Sequence, residues 1–207
     1  MTRANLQLTD YDADGRPFIE DLDKVASPLP ELLTLELFGA ADALGLTSGE
    51  ILLAALGRTI ARVIGSGAVL VDVPGYGASV HPMVLPCTAA QYLDADDMLE
   101  GVHHALDSLA VRHVVHGVPN DPRSQSVSEV LFVNADEAVV RPHLGHVLEL
   151  HAYRNGDTVA LDWWYDTRSF EPYTIAEFAE QFPLALIELT SEATPPVHAT
   201  HELALAH

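Results

Sequence analysis

One unbroken run, Thr47 to Gly77, constrains this chain more than any other: TSGEILLAALGRTIARVIGSGAVLVDVPGYG. It opens on Thr47-Ser48-Gly49-Glu50, a capping box in which the Thr hydroxyl accepts from an early helix amide and Glu50 reaches back. Ile51, Leu52, Ala55, Leu56, Ile60 and Val63 then recur at helical spacing as a wide apolar face, and Gly65 stands where a C-cap belongs. Ala68 to Val73 is apolar but for a single Asp, the pattern of a central strand covered on both faces. A capped helix, a glycine turn, a buried strand and a glycine-rich strand exit in one run predict an α/β layered domain.

The rest of the chain extends that pattern. Leu6 and Leu8 alternate with polar neighbours, DYDADG turns the chain, and Pro17 to Ile19 extends again, which reads as a short hairpin or arm. Ala26-Ser27-Pro28-Leu29-Pro30 is a breaker cluster leading into an apolar helix from Pro30 to about Gly45. His81 to Leu85 reads as a strand, Ala95 to His113 as a helix, and Val127 to Val133 as a strand. Val147 to Tyr153 and Thr158 to Tyr165 flank Asn155-Gly156-Asp157, where the Asn-Gly pair favours a type I′ hairpin turn. Thr174-Ile175-Ala176-Glu177 reads as a second capping box, opening a helix toward Leu189 that Pro183 should kink. These breaks give an arm and linker over 1–28, a main lobe over 29–192 and a flexible tail over 193–207. The sheet is expected to be mixed and flanked by helices.

Charge excludes some partners. With 30 acidic against 10 basic residues the formal net charge is -20. Such a surface repels phosphate backbones and anionic lipid, so neither nucleic acid nor membrane is an expected partner. Cys87 is the only cysteine, so no intrachain disulfide or thiolate cluster forms, and its apolar surroundings predict a buried, inert thiol. The first fifteen residues lack the apolar segment of a signal peptide, and no run approaches the ~18 apolar residues of a membrane span. The expectation is a cytoplasmic protein.

Four segments in order resemble one family. They are LTSGEILLAALGRTIARVIGSGAVLVDVPGYG, LAVRHVVHGVP, SEVLFVNADE and GDTVALDWWYDTRSFEPYTIAEFAEQFPLALIEL. They are similar to the C-terminal half of condensation and epimerization domains of nonribosomal peptide synthetases, in the chloramphenicol-acetyltransferase-like superfamily. The resemblance spans roughly residues 30–190. It implies a single lobe of a fold in which two lobes face each other across a tunnel. The family's HHxxxDG motif lies on the other lobe and maps to no position here. The family's Glu-Gly-His-Gly-Arg segment falls on Pro74-Gly75-Tyr76-Gly77-Ala78: the glycines that the backbone turn requires remain, while Glu, His and Arg are replaced. The resemblance therefore implies a half condensation-like domain, accessory or structural, in nonribosomal peptide or polyketide biosynthesis. The alternative is an acyltransferase or cyclisation enzyme whose tunnel is completed by a homodimer or a partner protein, acting on a carrier-bound acyl or peptidyl substrate. A ligand- or carrier-binding module without turnover is the third reading.

For an enzyme, the candidate catalytic residues are His103, Asp107, His116 and Tyr76, with Gly75, Tyr76 and Gly77 as the substrate-facing turn. His103 and Asp107 stand four apart, which supports a base with an orienting carboxylate but equally a routine helix-surface pair. Asp10, Asp12, Asp14 and Asp21 imitate a calcium loop, although no helices flank them and Asp stands where a bidentate Glu belongs. The pairs His113/His116 and His143/His146 could each offer two ligands from one turn, but neither has a third ligand nearby. No metal and no cofactor is expected, and phosphate-cradling or GxSxG motifs are absent from the sequence. Trp163, Trp164 and Tyr165 read as packing residues.

Overall fold

In the computed structural model, residues 5–74, 80–116, 128–138, 142 and 145–194 are described, with side chains omitted from 110 to 116. The elements run β1 (Leu22–Ala26), α1 (Glu31–Leu44), α2 (Ser48–Val63), β2 (Gly67–Pro74), β3 (Val80–Cys87), α3 (Ala95–His116), β4 (Val130–Ala135), β5 (Leu148–Asn155), β6 (Thr158–Asp166) and α4 (Pro172–Glu192). The sheet has six strands in the order β1-β6-β5-β4-β2-β3. β4 runs parallel to both β2 and β5, and the remaining pairs are antiparallel. The architecture is the mixed α/β lobe the sequence predicts.

The capping box forms in both directions: Glu50 N donates to Thr47 Oγ1 at 3.2 Å, and Thr47 N donates to Glu50 Oε2 at 2.5 Å. Side chains alternate across a strand. Val69, Val71 and Val73, with Leu85, Phe132, Leu150, Leu161 and Trp163, face the helices and share one core with Leu37, Leu52, Val102 and Phe178 from the four helices. Trp163 stacks on Phe178 and meets Phe182 edge-on. The intervening positions, Asp72, Leu131, Glu149, His151, Asp162 and Trp164, face the other way. Both sheet edges resist further pairing: β3 carries Pro82 and Pro86, and β1 is five residues long with an outward Lys24.

Several local expectations change. Residues 5–18 form no hairpin: Asn5 N and Leu6 N donate to Ala68 O, and Asp10 N and Tyr11 N donate to Ser169 O, so the segment runs as an arm. β1, which ends where the breaker cluster begins, pairs with β6 and packs the partly buried Val25 against the core. The hairpin register pairs Asn155 with Thr158, so the turn centres on Gly156 and Asp157, one place later than the Asn-Gly pair; Gly156, at φ +63°, supplies the left-handed residue. α4 starts two residues before its presumed box, with Pro172 in its first turn, and runs through Pro183. No single helix among the described residues is long and apolar enough to cross a membrane.

Candidate functional site

The capping box that starts α2 holds more than a helix end. Glu50 uses Oε2 for Thr47, accepting from its amide and from its hydroxyl at 2.6 Å, and turns Oε1 toward α3. There it meets His103 Nδ1 at 2.6 Å. His103 Nε2 lies 3.5 Å from Asp107 Oδ2, one turn along the same helix. The Glu50 side chain is 9% exposed, His103 36% and Asp107 66%, so the carboxylate is anchored inside while the imidazole reaches the surface. Burial pushes the Glu50 carboxyl up, but the bonds from Thr47 and His103 outweigh it and hold it below its ordinary value. The Glu50 hydrogen bond, in turn, raises His103.

The surroundings place this pair at one end of the sheet. A Cβ built on Gly49 would lie 2.8 Å from Asn134 Nδ2, so the start of α2 sits against the end of β4. The parallel register pairs Val71 with Val130 and Asp72 with Leu131. β2 and β4 therefore run in the same direction, toward the end of the sheet where Asn134 meets the start of α2.

Of the predicted site residues, the structure joins His103 and Asp107, but through Nε2 only; the stronger partner, Glu50, was hidden inside the helix cap. Gly75, Tyr76 and Gly77 lie outside the described residues, as does His143. His113 and His116 are on α3, with side chains likewise outside. Asp10 accepts from Glu171 N at 2.8 Å, Asp12 from Gln7 Nε2 at 3.4 Å and Asp21 from Phe18 N at 2.8 Å, so these carboxylates serve separate partners. Among the described residues no group of three His, Cys, Asp or Glu is arranged to hold a metal ion.

A second polar constellation, unforeseen from sequence, lies on the sheet face opposite the helices. Asp72 Oδ1 accepts from Ser128 Oγ at 2.7 Å, and Asp72 Oδ2 meets His146 Nε2 at 2.8 Å. Glu149 Oε2 meets His151 Nε2 at 2.9 Å. Asp72 is 0% exposed and His146, the most open of these five side chains, 6%. His146 is thus a buried member of this cluster rather than a ligand offered from a helical turn. The signal for this cluster was the isolated Asp in Ala68–Val73 and the charged alternate positions of Val147–Tyr153.

What can this geometry do? A carboxylate fixed on Nδ1 sets the imidazole tautomer and leaves Nε2 to exchange a proton at the surface, the layout of a Glu–His general acid–base pair. The buried cluster has no such opening to solvent.

The fold is similar to one lobe of solved condensation and epimerization domains. It matches the epimerization domain from the third module of tyrocidine synthetase B with a TM-score of 0.69 at 16% identity, over 92% of this chain and 52% of that one. The first condensation domain of the CDA synthetase matches with a TM-score of 0.63 at 19% identity, over 92% and 49%. The X-domain in complex with OxyB from teicoplanin biosynthesis matches at 0.64 and 16%, over 93% and 50%. By sequence, the chain is 30% identical over 251 aligned positions to a phenolphthiocerol/phthiocerol polyketide synthase polypeptide of Mycobacterium tuberculosis. That alignment covers 97% of this chain and 17% of the relative, so the chain spans a small part of the synthase polypeptide. No family model matches.

Proposed function

We propose that this chain is a half condensation-type lobe serving natural-product biosynthesis, and that it works by packing against a second lobe. The observation that carries the reading is its coverage: more than nine-tenths of the chain superposes on about half of each condensation-type structure. The polyketide synthase relative supports the setting, and the X-domain complex is a precedent for a domain of this fold engaging another protein. Prolines on β3 and the short β1 disfavour association through sheet edges. Exposed apolar pairs one turn apart, Leu32 with Leu35 on α1 and Leu184 with Ile187 on α4, offer face surface instead. The second lobe we assign is another copy of the chain. Light scattering behind gel filtration tests this: the expected mass is twice 22.4 kDa. A mass that stays at one chain across concentration overturns the homodimer.

The Glu50–His103 pair favours a second reading, an acyltransferase or cyclisation enzyme completed by association. His103 is its base and Glu50 its positioning residue, with a carrier-bound acyl or peptidyl thioester as substrate. Turnover of acyl-pantetheine thioesters by the associated protein is the assay. His103→Ala should lower it by about 10²–10⁴-fold, and unchanged turnover removes His103 from any such chemistry.

A further inference from the structure

The buried cluster has a geometric logic of its own. Asp72 on β2 is level with Leu131 on β4, and Leu131 with Glu149 on β5. Asp72 and Glu149 therefore rise from the same sheet face with a whole strand between them. Two strand spacings separate their backbones by roughly 9.6 Å, which favours a bridging group over direct contact. The His146 imidazole lies in that gap. Its Nε2 is 2.8 Å from Asp72 Oδ2, and its Nδ1 is 3.7 Å from Glu149 Oε1.

His146 stands two residues before β5, at the end of the connection that carries the chain from β4 to β5. The ring thus ties that connection to β2 and β5 at once. Ser128, two residues before β4, is drawn into the same cluster by its bond to Asp72. Next to it, Glu129 O accepts from the amides of Val147 and Leu148 at 2.9 and 3.2 Å. The lead-in to β4 and the lead-in to β5 are consequently held together at the site His146 anchors.

We propose that His146 is a protonation-operated latch: its imidazolium clamps the entry to β5 onto Asp72 and Glu149, and loss of one ring proton releases residues 145–147 from the sheet. A neutral imidazole has one N–H donor and one lone pair. It can donate to Asp72 or face Glu149 with a proton, never both, and the other buried carboxylate then confronts a lone pair at high cost.

The charged groups around the ring fit this assignment. From β2 comes Asp72, from the β4 lead-in Ser128 and Glu129, and from β5 Glu149 and His151. On β6, Asp162 lies across from His151 and is neutralised by Lys24 of β1 at 2.9 Å. His81 of β3 pairs with Val73, on the helix side. Burial alone pulls His146 down, but the Asp72 and Glu149 carboxylates outweigh it and raise its pKa. A raised histidine gives its full stabilisation below the ordinary value near ~6.5 and loses it as pH climbs through the raised value, so the latch is closed in mild acid and opens in base.

Histidine-selective nuclear magnetic resonance on the intact chain, with amide hydrogen exchange at Val147 and Leu148, tests this from pH 5 to 9. The expected result is a doubly protonated His146 at pH 6.5, titrating at higher pH. The protection factor at Val147, corrected for intrinsic exchange, should fall at least about tenfold through that titration. In His146→Gln, which carries no titrating ring, protection at Val147 should be low and independent of pH. A His146 already neutral at pH 6.5 overturns the latch. So does protection at Val147 that is flat across the wild-type titration, or pH-dependent in His146→Gln.

Discussion

Replacing Arg58 by methionine removes one charge from the centre of the helical layer and keeps most of its bulk. Arg58 is 1% exposed. Its guanidinium donates to the carbonyls of Thr88, Leu93 and Asp94, the last at 3.0 Å, and its Nε forms an ion pair with Glu188 at 3.0 Å. One side chain of α2 therefore ties the turn before α3 to α4. Methionine fills the stem's path, so packing loss is small, while the buried carbonyls lose their donor and Glu188 loses an ion-pair partner. An orphaned buried acceptor costs about 1–3 kcal/mol, and breaking a buried ion pair from one side about 3–5 kcal/mol. These costs overlap, so the expected loss is about 3–5 kcal/mol of a total near 5–15 kcal/mol. Arg62 supplies the control: it meets the same Glu188 at 2.5 Å but is 33% exposed in its side chain, so Arg62→Met should cost about 0–1 kcal/mol. Urea unfolding at equilibrium measures both as midpoint shifts at constant slope. If Arg58→Met stays within about 1 kcal/mol of the parent, or matches Arg62→Met, the guanidinium is not the tie described.

Gly57→Ala sets helix propensity against space: the swap favours the helix by about 1 kcal/mol, but the new Cβ would sit 2.5 Å from the backbone oxygen of Pro86. The clash should win, lowering the melting temperature; a stabilised variant would mean α2 rides higher on β3. Cys87 is fully buried and its thiol is pushed up to about 12 by burial, so iodoacetamide at pH 8 should label it only after unfolding. Labelling of the native chain at a free-thiol rate would contradict that burial. Glu50→Gln should return the His103 titration toward its ordinary value, because the Glu50 bond is the main cause of its rise. With Glu50 in place, the pair's contribution is present in mild acid and fades as pH climbs through the raised value. A His103 titration unmoved by the substitution dissolves the pair.

How much of this was legible beforehand follows from where each signal lives. α2 and β2 were readable because a capping box, a helical apolar face and an apolar strand run agree locally. β1 was not, since Leu22–Ala26 includes Asp23 and Lys24 and owes its strand state to pairing with β6. α4 began early because Pro172, a good first-turn residue, outcompeted the Thr174 box. The site divides the same way. His103 and Asp107 were visible as an i, i+4 pair, but Glu50, 53 positions away, reaches His103 only through the packing of α2 on α3. Asp72, Ser128 and the His146–Glu149 segment are far apart in sequence, and the parallel ladders bring Asp72 and Glu149 to one row of the sheet, with Ser128 and His146 in the lead-ins beside it.

The central claim is that the lobe meets a second copy of itself through the helix faces that carry Leu32 and Leu35 on α1 and Leu184 and Ile187 on α4. Amide hydrogen exchange at low and high protein concentration reads that contact directly. The account predicts slower exchange at high concentration in peptides spanning 31–36 and 183–188, together with a doubled mass. Exchange in those peptides that is independent of concentration, or protection confined to the β1 and β3 edges, would contradict it.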